Sequence, residues 1–264
     1  MKKLVFIFSF LTALSFAGTI QAQVRDVAID AKHFPDPLFR KYVQENFDMD
    51  RDGILSQSEA TAVTRIEVNK DYNYYNYYNY YVPDSEKISS LKGIEYFSEL
   101  KYLDCTNNKL TTLDVSKNIW LTELWCSDNK LTTLDVSKNT ELTDLDCHNN
   151  KLTTLDVSKN TELIYLDCGF NQLTNLDVSK NTELTRLACW DNQLTTLDVS
   201  KNTKLTGLAC SDNQLTNLDL SKKTKLKLLH CYNNQLTTLD VSKNTKLREL
   251  YCDDDVAVTK YNGY

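Results

Sequence analysis

The chain has 264 residues, a formal net charge of −6 and no basic cluster, which argues against nucleic-acid or anionic-membrane partners. Catalysis is not expected either. His33, His148 and His230 fall at unrelated places, the six glycines leave little room for strained catalytic turns, and no nucleophile, phosphate-loop or H-E-x-x-H motif occurs.

In chain order, Met1-Lys2-Lys3 precedes an apolar run from Leu4 to Ala17, with small Ala22 at a cleavage position. This is the pattern of a secretory signal peptide, too short and wrongly flanked for a membrane anchor. Residues 1–22 are therefore expected to be removed on export. Losing Lys2 and Lys3 takes the formal charge from −6 to −8. The expected location is secreted, periplasmic or cell-surface. No cysteine lies near the cleavage position, so no lipid anchor is expected. No other stretch approaches membrane-spanning length, so no membrane insertion of the mature chain is expected.

Residues 23–62 read as a small α-helical cap. Between Pro37 and Phe47 the apolar residues Leu38, Phe39, Tyr42, Val43 and Phe47 share one helical face. Residues 48–59 follow the EF-hand calcium-loop pattern. Asp48, Asp50 and Asp52 supply carboxylates at loop positions 1, 3 and 5, and Gly53 permits the sharp turn at position 6. Ile54 offers its backbone carbonyl, Ser56 acts through a water, and Glu59 is the bidentate ligand that closes the loop. Calcium is the expected cofactor. With a single loop there is no paired lobe to open. The expected role is a calcium-rigidified cap over the open end of a repeat array.

Residues 63–255 read as that array. Val63, Ile66, Val68 and Asp71 begin a unit, and Ile88, Leu91 and Ile94 look like its returning half. A Tyr/Asn-rich insertion at 72–83 interrupts them. It is too polar and repetitive to fill a core, and reads either as a binding loop or as a slipped low-complexity expansion. All eight cysteines then recur every 21 residues, from Cys105 to Cys252. A fixed period of this length means a solenoid with one turn of chain per repeat. The second unit shows the framework: Leu121, Leu124, Cys126, Asn129, Leu131, Leu134, Asp135, Val136, Ser137, Lys138, Asn139, Thr140.

This framework resembles the leucine-rich repeat, whose core is L-x-x-L-x-L-x-x-N-x-L, with Cys in place of the third apolar residue. The repeat length and cysteine ladder resemble the internalin-like class of secreted bacterial proteins. The resemblance implies a leucine-rich-repeat solenoid with parallel β-strands on the concave face, and by analogy a role in surface interaction or adhesion. Nine units are expected, the first interrupted; at about 4.8 Å per stacked strand the rod is roughly 40 Å long.

Eight cysteines in an exported chain would ordinarily suggest disulfides. In-register parallel strands, however, hold like positions about 4.8 Å apart, beyond the roughly 3.8 Å between Cβ atoms of a disulfide. Free, buried thiols are expected instead, and a straight row cannot form a tetrahedral zinc cluster. The asparagine row from Asn108 to Asn234 is expected to bond backbone groups inside the turns, and the aspartate row from Asp114 to Asp240 to form turns.

The exposed strand positions vary while the framework barely changes. Tyr102, Trp125, Tyr165, Arg186, Trp190, His230, Tyr232 and Tyr251 fall on the strand face opposite the cysteines, which is concave in this fold. Exposed Trp and Tyr among scattered carboxylates suit a recognition surface for a protein, peptide or glycan. The alternative is a structural spacer or matrix protein without a specific ligand. Residues 256–264 read as a C-terminal tail.

Overall fold

The computed structural model describes residues 26–69 and 83–260. The signal-peptide pattern, Asp71 and nearly all of the Tyr/Asn insertion lie outside the described residues. Each 21-residue unit contributes one short strand, because alternating apolar and polar residues suit a half-buried extended segment. After β1 (Val27–Ala28), β2 (Ile54–Leu55) and β3 (Arg65–Glu67), the repeats give β4 (Tyr102–Asp104), β5 (Glu123–Trp125), β6 (Asp144–Asp146) and β7 (Tyr165–Asp167). Then follow β8 (Arg186–Ala188), β9 (Gly207–Ala209), β10 (Leu228–His230), β11 (Thr238–Asp240), β12 (Glu249–Tyr251) and β13 (Ala257–Thr259). Strands β3 to β10 and β12 form one nine-stranded sheet, whose pairs are all parallel. Register is strict: Leu103, Leu124, Leu145, Leu166, Leu187, Leu208, Leu229 and Leu250 face one another down the sheet.

No single turn can bury its apolar row, so stacking makes one continuous core. Cys105 through Cys231 lie fully buried inside it, and all eight cysteines are free, as the spacing argument requires. Burial raises every thiol pKa, that of Cys231 to about 12, so the ladder is held as neutral thiol.

Two asparagine rows donate to the carbonyls inside the turns, the second with its own Oδ1 atoms buried and unbonded. Asn129 Oδ1 accepts the Leu110 N–H at 2.9 Å, and its Nδ2 donates to the carbonyls of Cys105 and Cys126. The same bonds recur at Asn150, Asn171, Asn192 and Asn213. A second, wholly buried row was not given a role from sequence. Asn139 Nδ2 donates to the carbonyls of Val115 and Asn118, and Asn160, Asn181, Asn202 and Asn244 repeat the pattern. Lys223 takes the asparagine position in one turn. Its amine is buried without a hydrogen-bond partner, and burial lowers its pKa.

The cap closes the first turn. Helix α1 (Pro37–Asn46) starts at Asp36, whose Oδ1 accepts the Leu38 and Phe39 N–H groups. Its other oxygen accepts the N–H and hydroxyl of Ser89, tying the cap to the returning half of the interrupted unit. Phe34, Phe39 and Phe97 are fully buried at this junction, and Phe47 packs edge-on to Phe97 at 5.3 Å. Val63, Ile66, Val68, Ile88, Leu91 and Ile94 all enter the same core, so the interrupted unit does form a turn. At the other end, the segment expected to be a tail from residue 256 begins with β13. It pairs in parallel with β11 and extends the outer row of the last turn.

Candidate binding face and candidate metal loop

The cap loop is built from short-range carboxylate contacts. Asp48 accepts the Asp52 and Gly53 N–H groups, Asp50 accepts the Asp52 N–H, and Asp52 accepts the Ile54 N–H at 2.7 Å. Gly53 has φ 80°, the left-handed value that a glycine adopts without strain. Ser56 caps α2 (Gln57–Ala62), and Glu59 accepts the Ser56 and Met49 N–H groups. These hydrogen bonds hold the Glu59 pKa below its ordinary value against the opposing effect of burial. Oxygens of Asp48, Asp50 and Glu59 come within 4.8 Å of one another, close enough to share one cation. Asp52 is turned to its own loop backbone, and the Ser56 hydroxyl is engaged by Glu59 and Ser58. Strand β2, which an EF-hand pair would match to a second loop, instead pairs antiparallel with β1.

On the sheet, Tyr102, Trp125, Tyr165, Arg186 and His230 lie within the strands, Trp190 and Tyr232 just beyond them, and Tyr251 in the last strand. Five of the eight, Tyr102, Trp125, Trp190, His230 and Tyr251, enter three aromatic groups. Tyr102 packs against Trp125 at 6.0 Å and carries the Arg65 guanidinium over its ring. His230 meets Tyr251 edge-on at 4.7 Å. The central group joins His148, Trp190 and Phe170, with centroid distances of 6.5 and 6.0 Å to Trp190.

Sequence reasoning missed Phe170. The third position after the strand is left-handed in every full turn up to Asn233, and is otherwise filled by Asn107, Asp128, Asn149, Asp191, Asp212 and Asn233. Asn and Asp tolerate that conformation because their short polar chains bond locally. Phe170 adopts it at φ 50° and stays 48% exposed. The signal was in the repeat comparison: Phe170 is the one aromatic in a column of Asn and Asp. Gly169 is a second such signal. A Cβ there would lie 2.4 Å from Trp190 Nε1, so only glycine lets the indole lean across it towards His148.

Beside this aromatic group the face is acidic. Asp146 and Asp167 stand directly opposite on β6 and β7, and like charges so placed repel. His148 Nδ1 lies 2.7 Å from Asp146 Oδ1, and its Nε2 lies 3.6 Å from Asp128. Burial disfavours the imidazolium, but the Asp146 hydrogen bond and the surrounding carboxylates outweigh it and raise the His148 pKa to about 9. Burial pushes Asp167 up to about 6. Tyr165 donates to Asp167 at 3.4 Å.

The architecture and its asparagine and cysteine ladders are those of leucine-rich-repeat proteins. The family model described as "Leucine Rich repeats (2 copies)" matches residues 119–160. The functional domain of InlJ from Listeria monocytogenes, described as including a cysteine ladder, is 39% identical with a TM-score of 0.77. That match covers 89% of this chain and 48% of InlJ's. A leucine-rich-repeat protein of Leptospira interrogans is 28% identical with a TM-score of 0.60, over 65% of this chain and 47% of that one. This chain thus spans about half the length of these two relatives. Internalin C2 of Listeria monocytogenes, 21% identical, shares the fold with a TM-score of 0.72 over 89% of this chain and 98% of its own. No curated protein matches. The chain thus carries leucine-rich repeats over residues 119–160 by its family-model match, and its solenoid closely matches internalin-like leucine-rich-repeat proteins with a cysteine ladder. Among the described residues no helix is long and apolar enough to cross a membrane.

Proposed function

We propose that this protein is an exported binding module that recognises a protein or peptide partner on its concave sheet, with a calcium ion stiffening the cap. Leucine-rich-repeat solenoids generally bind through their concave surface. The observation that carries the reading is Phe170. An exposed aromatic in a left-handed position costs stability, and residues held in such conformations cluster at functional sites. With Trp190, and with Trp125 and Tyr251 exposed at 39% and 56%, it gives the face rigid aromatic anchors. The acidic strand positions Glu123 and Asp144, beside Asp146 and Asp167, favour a partner with basic side chains. Selection of a random peptide library on the mature protein, with a glycan array in parallel, tests the reading. Expected is enrichment of peptides rich in Lys or Arg whose binding is lost in Phe170→Asn and Trp190→Ser with folding unchanged. Binding that is equal in these variants would count against it, and glycan binding would redirect it.

Calcium in the cap rests on the donor spacing of Asp48, Asp50 and Glu59. Binding to the folded state alone stabilises by RT ln(1 + [Ca]/Kd), about 1 kcal/mol at a few-fold excess over Kd. Calorimetry should find one calcium in the wild type and none in Glu59→Gln. Chelator should speed amide exchange in residues 30–69 and leave residues 140–210 unchanged, since repeats couple mainly to their neighbours. No calcium heat and no change of exchange in the cap would reduce the loop to an acidic turn.

A further inference from the structure

The cap loop is one of two groups of metal-ligating side chains among the described residues; the other is Asp146, His148 and Asp167 on the concave sheet. One ligand atom from each lies within 4.8 Å of the other two. The donor set differs from the cap's. Imidazole with two carboxylates suits a divalent transition metal, whereas an all-oxygen set suits calcium.

The site is held by the scaffold. Asp146 and Asp167 are register partners on adjacent strands, fixed by the ladder. His148 follows β6 by two residues, and its own N–H is bonded to Asp146 Oδ1 at 3.1 Å. The three side chains are half-buried, so the carboxylate repulsion is poorly screened, while the solvent side leaves coordination positions open.

An independent feature marks the same place. The Trp190 indole leans over Gly169, where any Cβ would collide with it, and its ring centroid stands 6.5 Å from that of His148. His148, Gly169 and Trp190 occupy one column of the repeat in three successive turns, so the glycine between them lets the indole reach across to the His148 side of the cluster.

We propose that Asp146, His148 and Asp167 bind a divalent transition-metal ion of the Zn2+ class on the concave face, beside Trp190. The ion takes one imidazole nitrogen and two carboxylate oxygens and leaves its outward positions to water or to a donor group of a partner. It stands independently of the calcium assignment, since the two sites share no residue.

The test uses the mature protein carrying Glu59→Gln, which silences the cap loop. Zn2+ calorimetry should give one ion per chain, and Co2+ should quench Trp190 fluorescence at the same stoichiometry. Adding His148→Ala should weaken Zn2+ binding at least tenfold, and Asp167→Asn should weaken it in the same direction; circular dichroism checks that both fold. Trp190→Phe should remove the Co2+ quenching and keep the Zn2+ heat. The proposal is overturned if Glu59→Gln protein shows no saturable Zn2+ binding. It is equally overturned if His148→Ala binds as before, whether through Cys252 or elsewhere.

Discussion

Asn150 and Phe170 sit in successive turns, each close behind its strand, and they illustrate two different uses of the chain. Asn150 points inward, where its Oδ1 takes the Leu131 N–H and its Nδ2 reaches the carbonyls of Cys126, Cys147 and His148. The equivalent position is Asn in its neighbours, because only a side chain with donor and acceptor at that spacing can satisfy two turns at once. Phe170 turns its side chain outward, has no polar side-chain atom to satisfy and meets the Trp190 ring at a centroid distance of 6.0 Å. Its backbone is in a conformation its side chain disfavours, yet the solenoid holds it there. The inner rows carry stability and the outer strand face is free to vary. Single substitutions can separate the two.

The largest expected effect lies in the inner row. Asn150→Ala leaves the Leu131 N–H without its partner in a dry interior and takes one of the two asparagine donors from the Cys126 carbonyl, which should cost roughly 2–3 kcal/mol. Urea unfolding measures it, and amide exchange should place the loss in the adjoining turns. An opposite change is expected at the one break in the second row. Lys223→Asn removes a buried, unpartnered amine and restores donors to the turn before it, as Asn202 does for Val178 and Asn181. It should stabilise by about 1–3 kcal/mol, read as a higher urea midpoint.

The smallest effect belongs to the outer turns. The Asp135 carboxylate accepts the Ser137 N–H at 2.9 Å, and this bond and the serine hydroxyl hold its pKa below the ordinary value. Asp114, Asp156, Asp177, Asp198, Asp219 and Asp240 are lowered in the same way by their serines. A depressed carboxylate contributes stability that is present above its unfolded pKa and is lost as pH falls through the folded one. The thermal midpoint should therefore fall as the pH drops below about 4, and Asp135→Asn should flatten that slope slightly.

Much of this was legible in the sequence because the repeat is its own comparison. The 21-residue cysteine period gave the solenoid, the in-register strands and free thiols, and the returning half of the interrupted unit was read from Ile88, Leu91 and Ile94. The cap loop was read from its acidic spacing, although the structure gathers Asp48, Asp50 and Glu59 and turns Asp52 to the backbone. What escaped depends on how side chains reach across turns. The lean of Trp190 over Gly169 joins residues 21 apart through a rotamer choice that no single repeat encodes. The same holds for His148, whose ring meets Asp146 on its own turn and Asp128 on the turn before. Lys223 stands where the repeat otherwise has Asn, a departure the sequence shows, but that the position points inward shows only in three dimensions.

The central claim is that the concave face keeps exposed aromatics at a cost in stability that the inner rows offset. Thermal unfolding of Phe170→Asn measures that cost directly. The account predicts a midpoint raised by about 2–4 °C, from roughly 1 kcal/mol of relieved backbone strain, together with loss of the peptides selected on the wild type. A lowered midpoint would show that Phe170 is a packing residue, and the face would lose its main claim to be a binding surface.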